Sequence, residues 1–117
     1  MDRSGLFAWV AQRYGVEPEY LWSSSPDSAV LRHTENRKWF GIVMDVPAAR
    51  LGLEGDSKVD VLNVKVYPSE ATALRLADGV LPAYHMNKEH WVSILLGGRV
   101  SDDMLIELLE TSYRLTS

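Results

Sequence analysis

The chain has 117 residues, of which 46% are hydrophobic and 24% are charged, a balance that is typical of a globular protein and excludes a disordered one. Its formal charge of −4 argues against binding of nucleic acid by the whole surface, because such affinity rests largely on phosphate neutralisation. The absence of cysteine excludes disulfides, thiolate metal sites and cysteine nucleophiles. We therefore expect a single domain over residues 1–117 that is stabilised by packing.

No segment of the sequence has the character of a membrane span. No window approaches the roughly 18 consecutive apolar residues that a span requires, and residues 1–5 do not resemble the apolar part of a signal peptide. We therefore expect a cytoplasmic protein with no membrane partner.

The histidines have no spacing typical of a metal centre. His85 and His90 are five residues apart, which neither a helix nor a strand places on one face, and His33 is remote from both in sequence. Ser93 could act as a nucleophile beside them, but the chain has no nucleophile elbow, glycine-rich phosphate loop or paired-carboxylate spacing. We expect no metal, no other cofactor, no catalytic residue and no enzymatic activity.

The first predicted element is an amphipathic helix over residues 3–14. Asp2 or Ser4 is suited to cap its N-terminus, and Gly15 stands where a glycine commonly ends a helix. Residues 15–28, with two prolines and a serine run, predict a connecting segment. The apolar stripe of the helix consists of Leu6, Phe7, Val10, Ala11 and Tyr14.

Residues 29–34 and 37–46 predict the two strands of a β-hairpin. The link between them is of hairpin length, and Asn36 is suited to a positive φ. Strict alternation in the second strand predicts one face toward the core and the other away from it. The predicted core face carries Phe40, Ile42, Met44 and Val46, and the opposite face carries Trp39, Gly41, Val43 and Asp45.

The second half of the chain predicts two more strands and two helices. Residues 47–57 read as a loop, and residues 58–67 and 91–96 alternate like half-buried strands. Between the strands, Ser69 is suited to cap a short helix that stops at Gly79, and a last helix begins at Ser101. The predicted buried residues are Leu62, Val64, Val66, Val92, Ile94, Leu96, Leu105, Leu108, Leu109 and Ser112.

Helices at both ends with strands between them predict the fold class. We expect an α+β two-layer sandwich, in which an antiparallel β-sheet carries the N- and C-terminal helices on one face. The other sheet face would be either a binding surface or a surface covered by loops. Its predicted residues are Trp39, Val43, Asn63, Lys65, Tyr67, Trp91 and Ser93.

Basic side chains lie beside aromatic ones in two parts of the sequence. One part is the hairpin, and the other is the stretch 82–91, which has the densest polar chemistry of the chain. Lysine and arginine beside aromatic rings are suited to phosphates and bases. The candidate nucleic-acid or anion-binding residues are Arg37, Lys38, Trp39, Lys65, His85, Asn87, Lys88 and His90.

The order of these elements, together with several short motifs, resembles the MmcQ/YjbR-like family of small bacterial proteins. The resemblance covers nearly the whole chain, and the run from Pro82 to Lys88 is its most specific part. The other motifs are Val61–Lys65 before a proline-initiated helix, Gly79-Val80, His90-Trp91, Gly98, Ser101-Asp102-Asp103 and Ser112-Tyr113.

This resemblance implies a CyaY-like or frataxin-like fold and a family that is mostly uncharacterised. The label attached to the family is DNA-binding protein, with protruding hairpins imagined as two wings. We therefore expect a non-enzymatic module that binds DNA through a local basic surface. The alternative is a domain that binds another protein or a small anionic ligand, because the same surface suits either.

Overall fold

The computed structural model describes residues 1–117. Five strands form one sheet, in which every neighbouring pair is antiparallel and the order is β1-β2-β3-β5-β4. The architecture is therefore α+β, as the sequence predicts. None of the three α-helices has the length and apolar character that a membrane crossing requires. The bounds in chain order are α1 Arg3–Tyr14, β1 Ala29–Arg32, β2 Trp39–Pro47, a 3-10 turn Ala48–Leu51, β3 Lys58–Lys65, α2 Pro68–Leu74, β4 Val80–Pro82, β5 Trp91–Leu95 and α3 Asp102–Leu115.

Both terminal helices begin and end at residues suited to those positions. The Asp2 carboxylate accepts a hydrogen bond from the Gly5 N–H at 2.8 Å, so Asp2 is the N-cap of α1. Gly15 ends that helix at φ 66°. The Ser101 hydroxyl accepts from the Met104 N–H at the start of α3, where two aspartates follow in the first turn.

The terminal helices pack side by side on one face of the sheet, as predicted. Leu6 and Val10 of α1 and three leucines of α3 belong to one buried cluster with Leu62 and Val64 of β3. The rings of Tyr14 and Tyr113 stack at 3.9 Å between centroids and join the two helices directly. We call this side the helix face and the opposite side the outer face.

The predicted core face of β2 is wrong beyond its first residue. Leu31 pairs with Gly41, whereas Arg32 pairs with Trp39, so Phe40 is an extra residue in β2. The bulge leaves Phe40 in the helix-face core but reverses the alternation after it. Val43 consequently faces the helices, and the outer face receives Ile42, Met44 and Val46.

Gly41 allows this bulge to fit beneath the helices. A Cβ at this position would lie 3.2 Å from a methyl group of Leu31 and 3.2 Å from one of Leu62. Both leucines are fully buried in the helix-face core. A larger residue would therefore push them apart.

Three local predictions also differ from the structure. The positive φ in the hairpin turn belongs to Arg37, at 65°, and not to Asn36. Helix α2 begins with Pro68 at its first position and has no side-chain cap, so Ser69 is not its cap, and it ends at Leu74. Residues 80–82 form an edge strand that the sequence pattern did not indicate.

Loops cover part of the outer face. Val46, Val61 and Leu95 form a second buried cluster there, with partly buried residues from the 3-10 turn and from the β4–β5 loop packed against it. The covered part of the outer face is therefore a second, smaller core, and only the uncovered part of this face is accessible to solvent.

Candidate functional site

Seven of the eight candidate residues gather at one end of the sheet, whereas His85 lies farther along the outer face, beside Arg50 of the 3-10 turn. Strands β1 and β3 finish at this end and β2 and β5 begin there, because neighbouring strands are antiparallel. The hairpin turn 33–38 and the β4–β5 loop 83–90 therefore lie on the same edge, and the strands β2 and β5 that follow them are about 10 Å apart across β3. We call this edge, with the outer-face residues next to it, the basic end.

Two of the candidates, Trp39 and Lys65, are terminal strand residues, and Trp91 at the start of β5 lies beside them. Lys65 of β3 lies directly opposite Trp91 of β5, and alternation places both on the outer face with Asn63. Trp39 begins β2 and packs edge-to-face against Trp22, with 5.8 Å between ring centroids. The side chains of Trp39, Lys65 and Trp91 are all partly buried, so their exposed portions form a shallow surface of two indoles and one ammonium group.

Arg37 and Lys38 are exposed in the hairpin turn. The Asn36 side chain fixes this turn, because its oxygen accepts from the Lys38 N–H and its amide donates to the Thr116 carbonyl at 3.0 Å. His33 reinforces the link with a 2.8 Å hydrogen bond to the Thr116 hydroxyl. The C-terminal residues therefore hold the two cations in position without neutralising them.

The β4–β5 loop places Lys88 and His90 in solvent. The Asn87 side-chain oxygen accepts hydrogen bonds from the N–H groups of Glu89 and His90, so it shapes the loop. Arg75 donates to the Lys88 carbonyl at 2.9 Å and anchors the loop from the segment after α2. Asn87 therefore has a structural role in its own loop.

The start of the same loop folds back over the outer face. Asn63 donates to the Tyr84 carbonyl at 2.9 Å, and the Tyr84 N–H donates to the Ser93 hydroxyl at 2.9 Å. Ser93 in turn donates to the Asn63 side-chain oxygen, and both residues are fully buried. Ser93 is therefore engaged in holding the loop and is not positioned as an exposed nucleophile.

The structure adds Arg50, which the sequence analysis did not identify. It lies in the 3-10 turn and donates to the Tyr84 hydroxyl at 3.3 Å, an interaction that raises the pKa of Arg50. The Tyr84 ring also lies 4.0 Å from the His85 ring. Arg50 is 34 residues from Tyr84 in sequence, so no local pattern links them.

Most cations of the basic end form no ion pair. Five of the arginines and lysines do form ion pairs, including Arg3 with Asp60 and Arg13 with Glu110 on the helix face and, at the basic end itself, Arg32 with Glu19. Helix α3 carries four acids and one arginine, so much of the negative charge lies behind the sheet. No ion pair involves Arg37, Lys38, Lys65 or Lys88 of the basic end, and none involves Arg50 of the 3-10 turn.

Comparison with known proteins identifies the family to which this chain belongs. The profile of the YjbR family matches residues 11–115. The chain belongs to the YjbR family. Its bacterial relatives include uncharacterized protein YyaQ of Bacillus subtilis, which is 41% identical over 99% of this chain and 98% of its own length. A second relative is uncharacterized protein YbdF of Escherichia coli O157:H7, which is 34% identical over 98% of this chain and 87% of that protein.

Solved structures share the fold of this chain. A crystal structure of a Pseudomonas syringae protein superposes with a TM-score of 0.98 and 41% identity, and the match covers 100% of both chains. The crystal structure of Deinococcus radiodurans protein DR2400 superposes with a TM-score of 0.72 over 97% of this chain and 77% of its own. At 24% identity, that second likeness concerns the fold alone.

Proposed function

We propose that this YjbR-family protein is a non-enzymatic binding module that contacts DNA through the basic end of its sheet. The observation that carries the proposal is that most cations of the basic end have no acidic partner. Arg37, Lys38, Lys65 and Lys88 form no ion pair, although acids outnumber bases by four in the chain. Free cations are the groups that release counterions from a phosphate backbone.

The shape of the basic end favours contacts with the backbone over reading of a sequence. No helix projects from this surface toward a groove, and the aromatic surfaces of Trp39 and Trp91 suit stacking on unpaired bases, which tolerates any sequence. Glu35 and Glu89 lie in the same two loops and weaken the local field. The expected binding is therefore weak, tolerant of sequence and strongly dependent on salt.

The proposal extends to the finer classification of the fold. The resemblance to MmcQ/YjbR-like proteins implies a CyaY-like or frataxin-like sandwich. One antiparallel sheet with the N- and C-terminal helices on a single face supports that description. Fold likeness does not by itself assign a ligand, so the DNA proposal rests on the charges of the basic end.

Fluorescence anisotropy with a labelled duplex and a labelled single strand, measured across a salt series, tests the proposal. The variant Lys38→Gln/Lys65→Gln removes two cations from the basic end. We expect it to reduce the slope of log affinity against log salt by about two on the duplex, because each phosphate contact contributes about 0.9. The matched control Lys58→Gln/Arg99→Gln makes the same change in net charge at the opposite end of the sheet, where β3 begins and β5 ends, and should keep the wild-type slope.

Two results would contradict DNA binding by this surface. One is no change in anisotropy at low salt with micromolar wild-type protein. The other is an equal loss of affinity in both double variants, which would mean that only net charge matters and not the basic end. Circular dichroism of each variant checks that the fold is retained.

A further inference from the structure

A groove lies between the 3-10 turn and the β4–β5 loop, beside the proposed DNA surface. Its volume is about 320 Å³, within the range of small-ligand sites. Leu51 and Leu81 provide apolar walls, and Arg50, Tyr84, His85 and Lys88 provide polar ones. No aspartate or glutamate lines it, although the chain as a whole is acidic.

The cations of this groove keep most of their hydrogen-bonding capacity. Arg50 uses one of its five N–H donors in the 3.3 Å contact with the Tyr84 hydroxyl. Lys88 is exposed, and neither cation forms an ion pair. The remaining donors of Arg50, the ammonium group of Lys88 and the hydroxyl of Tyr84 are available to one shared anion.

The backbone of the groove is fixed before any ligand arrives. The N–H and the carbonyl of Tyr84 are both held by Ser93 and Asn63, which are fully buried polar residues of the central strands. The next residue, His85, has a φ of 60°, a left-handed conformation that is uncommon for a residue other than glycine. Such strained residues persist where the surroundings enforce them, and they occur often at ligand sites.

We propose that this groove binds a phosphomonoester that carries a small apolar body. Two unpaired cations match the nearly two negative charges of a phosphomonoester near pH 7, whereas a carboxylate would balance only one of them. The planar guanidinium group of Arg50 can donate two parallel N–H hydrogen bonds to phosphate oxygens, and Lys88 acts as a point charge. The leucine walls and the Tyr84 ring contact the body of the ligand.

This inference does not rest on the proposed DNA binding. The groove shares Lys88 with the basic end. Its main anion-binding residue is Arg50, which is not one of the eight candidate residues. A phosphomonoester can be a free metabolite or the end of a nucleic acid strand. The chemistry recognised is the same, and the two sources are separated below by the choice of probe.

Calorimetric titration with phenyl phosphate, followed by chemical-shift mapping, tests the groove. We expect Arg50→Gln and Lys88→Gln each to weaken binding at least about tenfold, since each removes a charge-assisted contact. The matched control Arg37→Gln removes another exposed, unpaired cation that does not line the groove, and it should change affinity less than about twofold. Melting temperatures confirm that each variant is folded.

Phenylacetate and inorganic phosphate serve as comparison ligands, and a 5′-phosphorylated oligonucleotide is compared with its 5′-hydroxyl form. Weaker binding of phenylacetate supports the phosphate assignment, and equal binding overturns it. No shift with millimolar phenyl phosphate, or unchanged affinity in both groove variants, overturns the site itself. Loss of phenyl phosphate binding in Arg50→Gln with an unchanged DNA salt slope would show that the groove and the DNA surface are separate.

Discussion

Asn63 and Ser93 are polar residues in the centre of the sheet, and both are fully buried. They hydrogen-bond to each other and to the backbone of Tyr84, so their polar groups are satisfied. Burial of unsatisfied polar groups would be costly, and this pairing removes that cost. At this position two side chains of the outer face determine where a surface loop begins.

Tyr84 and Lys88 belong to the same loop but have different surroundings. The Tyr84 ring packs against the second buried cluster, whereas Lys88 is exposed. We expect Tyr84→Ala to lower the free energy of unfolding by about 2–3 kcal/mol. Lys88→Ala should change it by less than about 0.5 kcal/mol.

Urea unfolding of both variants beside the wild type measures this difference. Binding of phenyl phosphate by the folded variants provides the second measurement, because Lys88→Ala should lose affinity without losing stability. A Lys88→Ala protein that unfolds, with a Tyr84→Ala protein as stable as the wild type, would show that the division of roles is wrong.

At the scale of elements, α3 completes the sheet where β2 and β3 separate. The Ser112 hydroxyl accepts from the Lys65 N–H at 2.8 Å and donates to the Phe40 carbonyl at 2.7 Å. Phe40 is the extra residue of the bulge, so its carbonyl is displaced from the regular ladder. One fully buried hydroxyl therefore satisfies two backbone groups from different strands.

We predict that Ser112→Ala lowers the free energy of unfolding by about 2–4 kcal/mol, because it leaves a buried N–H and a buried C=O without partners. Thr111→Ala is a matched control, since the Thr111 hydroxyl bonds only to the Glu107 carbonyl of its own helix among backbone groups. It should lower stability by less than about 1 kcal/mol. Equal losses in chemical denaturation of the two variants would contradict the bridging role.

At the scale of the whole molecule, His33 joins the hairpin to the C-terminus across 83 residues of sequence. The Thr116 hydroxyl donates to the Ser112 carbonyl at 2.8 Å and therefore accepts from the His33 ring. Burial lowers the pKa of His33 from its ordinary value of 6.5. A hydrogen bond with the Tyr113 backbone and the charge of Glu35 oppose that shift, while Lys38 adds to it.

The sign of the pH effect follows from this lowered pKa. The unfolded chain binds the proton of His33 more readily, so the contribution to stability is complete above pH 6.5 and is lost as pH falls through the folded pKa. We expect the free energy of unfolding to decrease as the pH is lowered from 7 toward 5. His33→Gln should flatten that dependence, as measured by urea unfolding at each pH.

The titration of Glu19 affects stability at lower pH, and this effect should persist in the His33→Gln variant. A hydrogen bond from Arg32 lowers the pKa of Glu19 below its ordinary value of 4.5. The stability that it contributes is present above pH 4.5 and is lost as pH falls through the lowered pKa. An equal slope between pH 5 and 7 in the wild type and His33→Gln would contradict the assignment to His33.

Only part of the candidate site could be predicted from the sequence. Seven of the eight candidate residues meet at one sheet end because antiparallel order brings alternate loops together, whereas His85 lies beside Arg50 on the outer face. Arg50 was missed, because its partner Tyr84 is 34 residues away. The roles of Asn87 and Ser93 were also not readable, since they depend on hydrogen-bond partners that only folding supplies.

The sequence by itself determined the terminal helices, the faces of β3 and β5, and the α+β class, because each follows from a local period and local capping residues. Tertiary structure decided the rest. Edge strand β4 has only three residues and exists through pairing with β5. The bulge at Phe40 reverses the pattern that follows it, because a period of two identifies two faces but cannot show where an extra residue exchanges them.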